Sequence, residues 1–192
     1  GAQPVAPSAV HCPMTRTMPR ELTVEEIYEL IEKYGDAAVR AKKAGFDGVE
    51  LQCGHGYLVA QFLSGYSNKR ADEFGGNFHK RTKFAVEILK KIKEKCGDDY
   101  PVCVRISANE RVDGGLTPHE SAAICKVLEN AGADAIDVST GVYGSMPWII
   151  APSFIPSGYE LDDALQIKQA VNIPTIAVGR ISWQLVLPIL WL

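Results

Sequence analysis

Three side chains suited to handling a carbonyl compound fall within six residues of one another: the amide of Gln52, the imidazole of His55 and the phenol of Tyr57. An amide and a neutral imidazole can each donate a hydrogen bond to a carbonyl oxygen. A phenol can deliver a proton to a carbanion-like carbon. The bland alternative is a loop whose tyrosine packs and whose histidine is solvated.

Two further places carry charge where it must be accounted for. Arg105 interrupts the apolar run Val102-Cys103-Val104-Arg105-Ile106. An arginine there needs an anionic or polar partner. That partner is either a structural carboxylate, for instance Glu50 on the neighbouring strand, or an anionic cofactor seated beside the guanidinium. Gly179-Arg180 follows the last apolar run. Glycine lets a ligand approach the backbone there, and a helix start would offer N–H groups to phosphate. A plain strand-to-helix turn satisfies the same two residues. In Asn68–Gly76, Arg70 and Asp72 read as a pair that pins a loop. His79 and His119 lie near helix starts and read as solvated, and His11-Cys12 is no metal site.

These residues must be held by elements, and the pattern names them. Thr23 and Glu26 form a capping box ahead of Ile27, Leu30, Ile31, Tyr34, Ala37, Ala38 and Ala41, a 3.6-residue period closed by Gly45. Val49–Leu51 is a short strand, and a loop runs from 52 to about 78. A helix with Phe84, Ala85, Ile88, Leu89 and Ile92 on one face ends near Gly97. Strand Val102–Ser107 follows, then a helix opened by Thr117-Pro118-His119-Glu120 and ended by Gly132. Strand Ala135–Ser139, a second long loop over 140–159, a helix over about 160–171, strand Pro174–Val178 and a possible helix over 181–192 complete the order. Strands alternating with helices predict right-handed βαβ units and a parallel sheet. Chemistry on such sheets collects at the C-terminal ends of strands, where both long loops begin.

Composition bounds the rest. The chain has 192 residues and a net charge of -3, which argues against nonspecific nucleic-acid binding. No stretch is apolar for long enough to span a bilayer, and the first residues do not read as a signal peptide. Five scattered cysteines without metal-site spacing predict reduced thiols and a cytoplasmic protein. Four strands are too few for a closed (β/α)8 barrel, which needs about 250 residues. The chain is therefore a smaller open sheet or part of a barrel, and the apolar tail Trp183–Leu192 favours the second.

In several motifs the sequence resembles the old yellow enzyme family of flavin-dependent NAD(P)H oxidoreductases, in particular the ene-reductase, 2,4-dienoyl-CoA reductase and enoate-reductase group. The motifs are Ala6-Pro7-Ser8-Ala9, Pro19–Thr23, Ala44–Glu50, His55-Gly56-Tyr57-Leu58 with Gln61–Ser64, Asn68–Gly76, Val104–Ser107 and Val178–Ile181. The resemblance implies an α/β fold of the TIM-barrel type, here a single partial barrel over residues 1–192 with about four parallel strands and an extended N-terminal loop over 1–22. It implies FMN as cofactor and NADH or NADPH as reductant, with hydride passing from the flavin to the β-carbon of an unsaturated carbonyl or thioester substrate. Arg105 matches the arginine beside the flavin pyrimidine, and Gly179 and Arg180 match a phosphate-side turn. His55 matches the second of two carbonyl-binding positions, and Tyr57 the tyrosine that protonates the α-carbon.

The sequence departs from the family at the first carbonyl-binding position. It is usually His and is Gln52 here. An amide donates a hydrogen bond but cannot become cationic, which implies weaker polarisation or a different substrate. The family's first three strands and its eighth are not in this sequence, nor is the downstream cysteine cluster. The contrasting expectation is a non-catalytic, truncated half-barrel that binds flavin weakly or not at all and self-associates through open sheet edges. A dihydroorotate-dehydrogenase-like barrel is a third reading, but it would lack the His55-x-Tyr57 pair.

Overall fold

A computed structural model describes residues 3–181. Four parallel strands form the central sheet in the order β3 (Val49–Cys53), β4 (Val102–Ser107), β5 (Ala135–Ser139) and β6 (Thr175–Ala177). Before them come two short strands, β1 (Val5–Ala6) and β2 (Arg20–Glu21), which pair in parallel. They lie inside the stretch that reads as an extended loop in the sequence.

The helices α1 (Val24–Lys43), α3 (Phe78–Cys96), α4 (Pro118–Asn130) and α6 (Leu161–Ala170) follow the expected order. Each end has a local cause. Thr23 accepts from the Glu26 amide while the Glu26 carboxylate accepts from the Thr23 amide, so both sides of the capping box form. Thr117 caps α4 with Pro118 at the first turn. Glu120 there turns instead to an ion pair with Arg81 of α3. Asn77 caps α3, a start that the sequence reading did not assign.

Two loops contain more structure than expected. The stretch 52–78 holds the helix α2 (Leu58–Leu63), and 140–159 holds a 3-10 turn (Tyr143–Ser145) and the short α5 (Met146–Ile149). Strand β3 runs two residues further than its apolar core suggested, so Gln52 belongs to the strand and the loop starts after Cys53. The helix expected over 181–192 lies outside the described residues.

Strand alternation sorts the side chains into two layers. Leu51, Cys53, Val102, Val104, Ile106, Ile136 and Val138 are buried beneath the helices, with Phe62, Phe74 and Phe84 filling the space between α2 and α3. The opposite face carries Gln52, Arg105 and Asp137, aligned across the strands by register: Gln52 is opposite Arg105, and Arg105 opposite Asp137.

Arg70 and Asp72 pair as expected, and the pinning goes further. The Arg70 guanidinium is almost fully buried and donates to the carbonyls of Pro7 and Leu22. It thus fastens the β1–β2 segment to the loop after α2.

Candidate active site

The site sits at the C-terminal ends of β3, β4 and β5. Gln52 reaches it from within β3. Its Oε1 accepts from the Gly54 amide at 3.0 Å, which turns the amide group so that its NH2 remains available as a donor. Gly54 is closely packed: a Cβ would lie 3.1 Å from the Ser107 nitrogen and 3.2 Å from Gln52 Oε1, so its neighbours would have to shift to admit one.

His55 follows in a left-handed backbone conformation, φ 60°, unusual for a residue with a side chain. Two serines at the ends of neighbouring strands hold it there. Its amide donates to Ser107 Oγ at 2.8 Å, and the Ser107 hydroxyl donates onward to the Gly141 carbonyl at 2.9 Å. Its ring Nε2 lies 2.8 Å from Ser139 Oγ. Burial lowers the imidazole pKa, and the Arg105 guanidinium lowers it further against an opposing pull from Asp137. Burial and Arg105 thus both favour the neutral ring, which keeps one N–H donor.

Arg105 answers to Asp137, with Nη1 2.9 Å from Oδ2, and not to Glu50. The register explains the choice: Asp137 is directly opposite Arg105, whereas Glu50 is opposite Cys103, two residues earlier on the same face. The pair is lopsided, since the Arg105 side chain is 30% exposed and that of Asp137 8%. Arg105 Nε and Asp137 Oδ1 are buried without a hydrogen-bond partner among the described residues, and so is Glu160 Oε2. Glu160, at the start of α6, is itself buried; desolvation raises its carboxyl pKa while Arg105 and Arg111 pull it down.

Tyr57 stands apart from this cluster. It precedes α2, is 48% exposed, and receives a hydrogen bond from the Tyr143 hydroxyl at 3.4 Å, with the rings edge to face. That bond, ahead of burial, raises the Tyr143 pKa. Tyr143 also lines a cavity of about 200 Å³ together with Val5, Cys12, Gln61 and Tyr66; Gln52, His55, Tyr57 and Arg105 are not among its walls.

Gly179 and Arg180 both take positive φ, 101° and 54°. The side of Gly179 that a Cβ would occupy faces Glu160 at about 3 Å. Arg180 donates to the carbonyls of Pro152, Ser153 and Ile155, so its guanidinium ties down the loop after β5. Arg111 ties the same loop from the other side, through Thr140 and Asp163 and by stacking on Trp148. His11, His79 and His119 are exposed, and no group of metal-ligating side chains occurs among the described residues. All five cysteines are unpaired, and no described helix is long and apolar enough to cross a membrane.

Residues 2–186 match the model of the NADH:flavin oxidoreductase / NADH oxidase family. The chain belongs to this family. It is 51% identical over 181 residues to an NADH oxidase of Thermoanaerobacter brockii, covering 94% of this chain and 28% of that protein. It is 37% identical to a cinnamate reductase of Clostridium sporogenes, covering 95% of this chain and 30% of that protein. A 2-naphthoyl-CoA reductase solved with 2-naphthoyl-CoA superposes with a TM-score of 0.88 at 36% identity, over 93% of this chain and 27% of that one. The chain thus spans less than a third of each of these relatives. The family's barrels make the four-stranded sheet a segment of a (β/α)8 barrel, and the Gln52–Arg105–Asp137 row lies on the sheet face away from the helices, which is the barrel interior.

Ser107, Ser139, Asp137 and Tyr143 were not singled out from the sequence. The two serines had a signal: each is a small hydroxyl residue ending an apolar strand, where backbone and side chain both face the mouth. Asp137 had one too, a lone carboxylate in the strand next to Arg105. Tyr143 had none, because its contact with Tyr57 depends on how two loops fold together.

Proposed function

We propose that the protein containing this chain is an FMN-dependent NAD(P)H oxidoreductase that reduces α,β-unsaturated carbonyl or thioester compounds. The observation that carries this reading is the convergence, at one strand mouth, of an oriented amide NH2 on Gln52, a neutral His55 and the Arg105 guanidinium. When bound, FMN supplies the hydride, drawn from NAD(P)H and delivered to the β-carbon. Three buried polar atoms without partners, Arg105 Nε, Asp137 Oδ1 and Glu160 Oε2, fit a ligand that both accepts and donates hydrogen bonds at this face. Arg105 would hold the flavin ring through its positive charge, and Gly179-Arg180 the phosphate side.

Each residue then has a defined task. Gln52 and His55 donate to the substrate's carbonyl oxygen and stabilise negative charge that develops there. Neither can become cationic cheaply, Gln52 by its chemistry and His55 because burial and Arg105 disfavour its charged form. The site therefore polarises by hydrogen bonding and not by proton transfer to oxygen. Tyr57 gives its hydroxyl proton to the α-carbon, and Tyr143 fixes where that hydroxyl points. The names of the cinnamate reductase and the 2-naphthoyl-CoA reductase support a conjugated acid or thioester as the substrate class.

The test separates the two half-reactions in the full-length protein. Tyr57→Phe is expected to slow alkene reduction by about 10²–10⁴-fold, the usual worth of a positioned general acid. Flavin reduction by NAD(P)H should keep its rate. Stopped-flow absorbance reads both. Equal rates for variant and parent in the alkene half-reaction would remove Tyr57 from the mechanism.

A further inference from the structure

We propose that Ser139 is a positioning residue that fixes the His55 proton on Nδ1, leaving Nδ1–H as the group offered to a ligand oxygen. This rests on the reading of His55 as a carbonyl donor, but its own evidence is separate. Ser139 Oγ and His55 Nε2 are 2.8 Å apart, and both residues are buried. Geometry alone allows either atom to donate.

Proton accounting decides between the two. The Ser139 side chain has His55 Nε2 as its one hydrogen-bond partner among the described residues. If Nε2–H donated to the serine, the serine's own proton would be left in a buried site with no acceptor. If the serine donates to Nε2, its proton is used, and only oxygen lone pairs stay unfilled, which folded proteins tolerate better.

The neighbouring hydroxyls cannot take over this role. Ser107 spends its proton on the Gly141 carbonyl, and Thr140 spends its own on the Asn109 carbonyl. Nε2 is thus an acceptor, and in a neutral ring the proton must sit on Nδ1. Nδ1 has no hydrogen-bond partner among the described residues. The same ring edge that is left unpaired is the edge able to donate. The backbone supports this, because the Ser107 bond to the His55 amide fixes the left-handed φ from which the ring is aimed.

Nitrogen-15 NMR of the full-length, flavin-loaded protein labelled at histidine tests the assignment, with His55→Asn identifying the resonances. The expected spectrum of the unmodified protein has His55 Nδ1 in the protonated range and Nε2 in the unprotonated, hydrogen-bonded range. Ser139→Ala should mix the two tautomers, and Ser139→Thr, which restores the hydroxyl, should recover the single form. Affinity for a saturated ketone such as cyclohexanone should fall in Ser139→Ala in proportion to the Nδ1–H form lost, about twofold for an even mixture, and return in Ser139→Thr. A protonated Nε2 in the unmodified protein would overturn the proposal outright. An unchanged His55 spectrum in Ser139→Ala would also overturn it. His55→Asn binding the ketone as well as the parent does would instead count against the carbonyl-donor reading, with the tautomer assignment judged on the spectra alone.

Discussion

On one face of the central sheet, Leu51, Val104 and Ile136, with Cys53, Ile106 and Val138 two residues further on, are sealed beneath the helices. On the other face, Gln52, Arg105 and Asp137 stand in a single row, and Arg105 keeps 30% of its side chain in contact with solvent. The two sets alternate along the same three strands. A pleated strand can do this because successive side chains leave in opposite directions. One face can then be selected for packing density and the other for charge and hydrogen bonding. The row of polar groups is poor packing material: three of its neighbourhood's buried atoms lack partners. That is tolerable only because the other face supplies the burial. Stability and chemistry should therefore separate by residue parity along each strand.

The largest effect expected from this division is on the sealed face. Ile106 is fully buried, and Ile106→Ala should cost about 2–5 kcal/mol of stability, seen as a lower urea midpoint with an unchanged slope. The fraction that remains folded should bind FMN as the parent does. A loss of flavin affinity comparable to that of an Arg105 variant would show that the two faces are coupled and would break the comparison.

Arg105 sharpens it from the other side. Arg105→Met leaves the Asp137 carboxylate buried without its cation, a cost of roughly 1–3 kcal/mol. Adding Asp137→Leu removes the orphaned charge, and the double variant should recover most of the lost stability, since a well-packed apolar pair can replace a buried ion pair. FMN affinity should be lost in the single and double variants alike. Stability that followed flavin affinity through both variants would make the pair structural only.

Much of this was legible in the sequence because parity and period are local. The caps at Thr23 and Thr117, the strands at 102–107 and 135–139, and the helix faces around Ile27 and Phe84 all follow from patterns a few residues long. The site was half legible. Gln52, His55 and Tyr57 are close in sequence, so their chemistry could be read together. The partner of Arg105 could not be settled, because choosing Asp137 over Glu50 requires the strand register, and register is set by contacts between segments about thirty to fifty residues apart. The β1–β2 pair was hidden for a similar reason. Each strand is two residues long, too short for any alternation to show, and what holds them in place is Arg70, about fifty residues further on, reaching the carbonyls of Pro7 and Leu22.

The smallest effect is also the most direct readout of the two faces, because each carries a cysteine. Cys53 is wholly sealed on the helix side, and burial pushes its thiol far up. Cys103 is half-buried on the opposite face, where burial first and then the Glu50 and Asp137 carboxylates push it up to about 11. Cys12, outside the sheet, is the reference: burial raises it, but hydrogen bonds from Thr15 and Met14 prevail and bring it below the ordinary thiol value. Alkylation goes through the thiolate, so at pH 8 about one Cys103 in a thousand is reactive at any moment. In the 192-residue chain by itself, iodoacetamide should modify Cys12 first and Cys103 more slowly by roughly 10²–10³-fold. Cys53 should react only in denaturant, along with the buried Cys96 and Cys125. Raising the pH to about 10 should speed Cys103 roughly in proportion to its thiolate while leaving Cys53 untouched, because access and not ionisation limits the sealed side. Peptide mass spectrometry after timed quenching resolves the three rates. Native-state labelling of Cys53 at the pace of Cys103 would mean that the helices do not seal their face, and the division of labour between the two sides of the sheet would lose its structural basis.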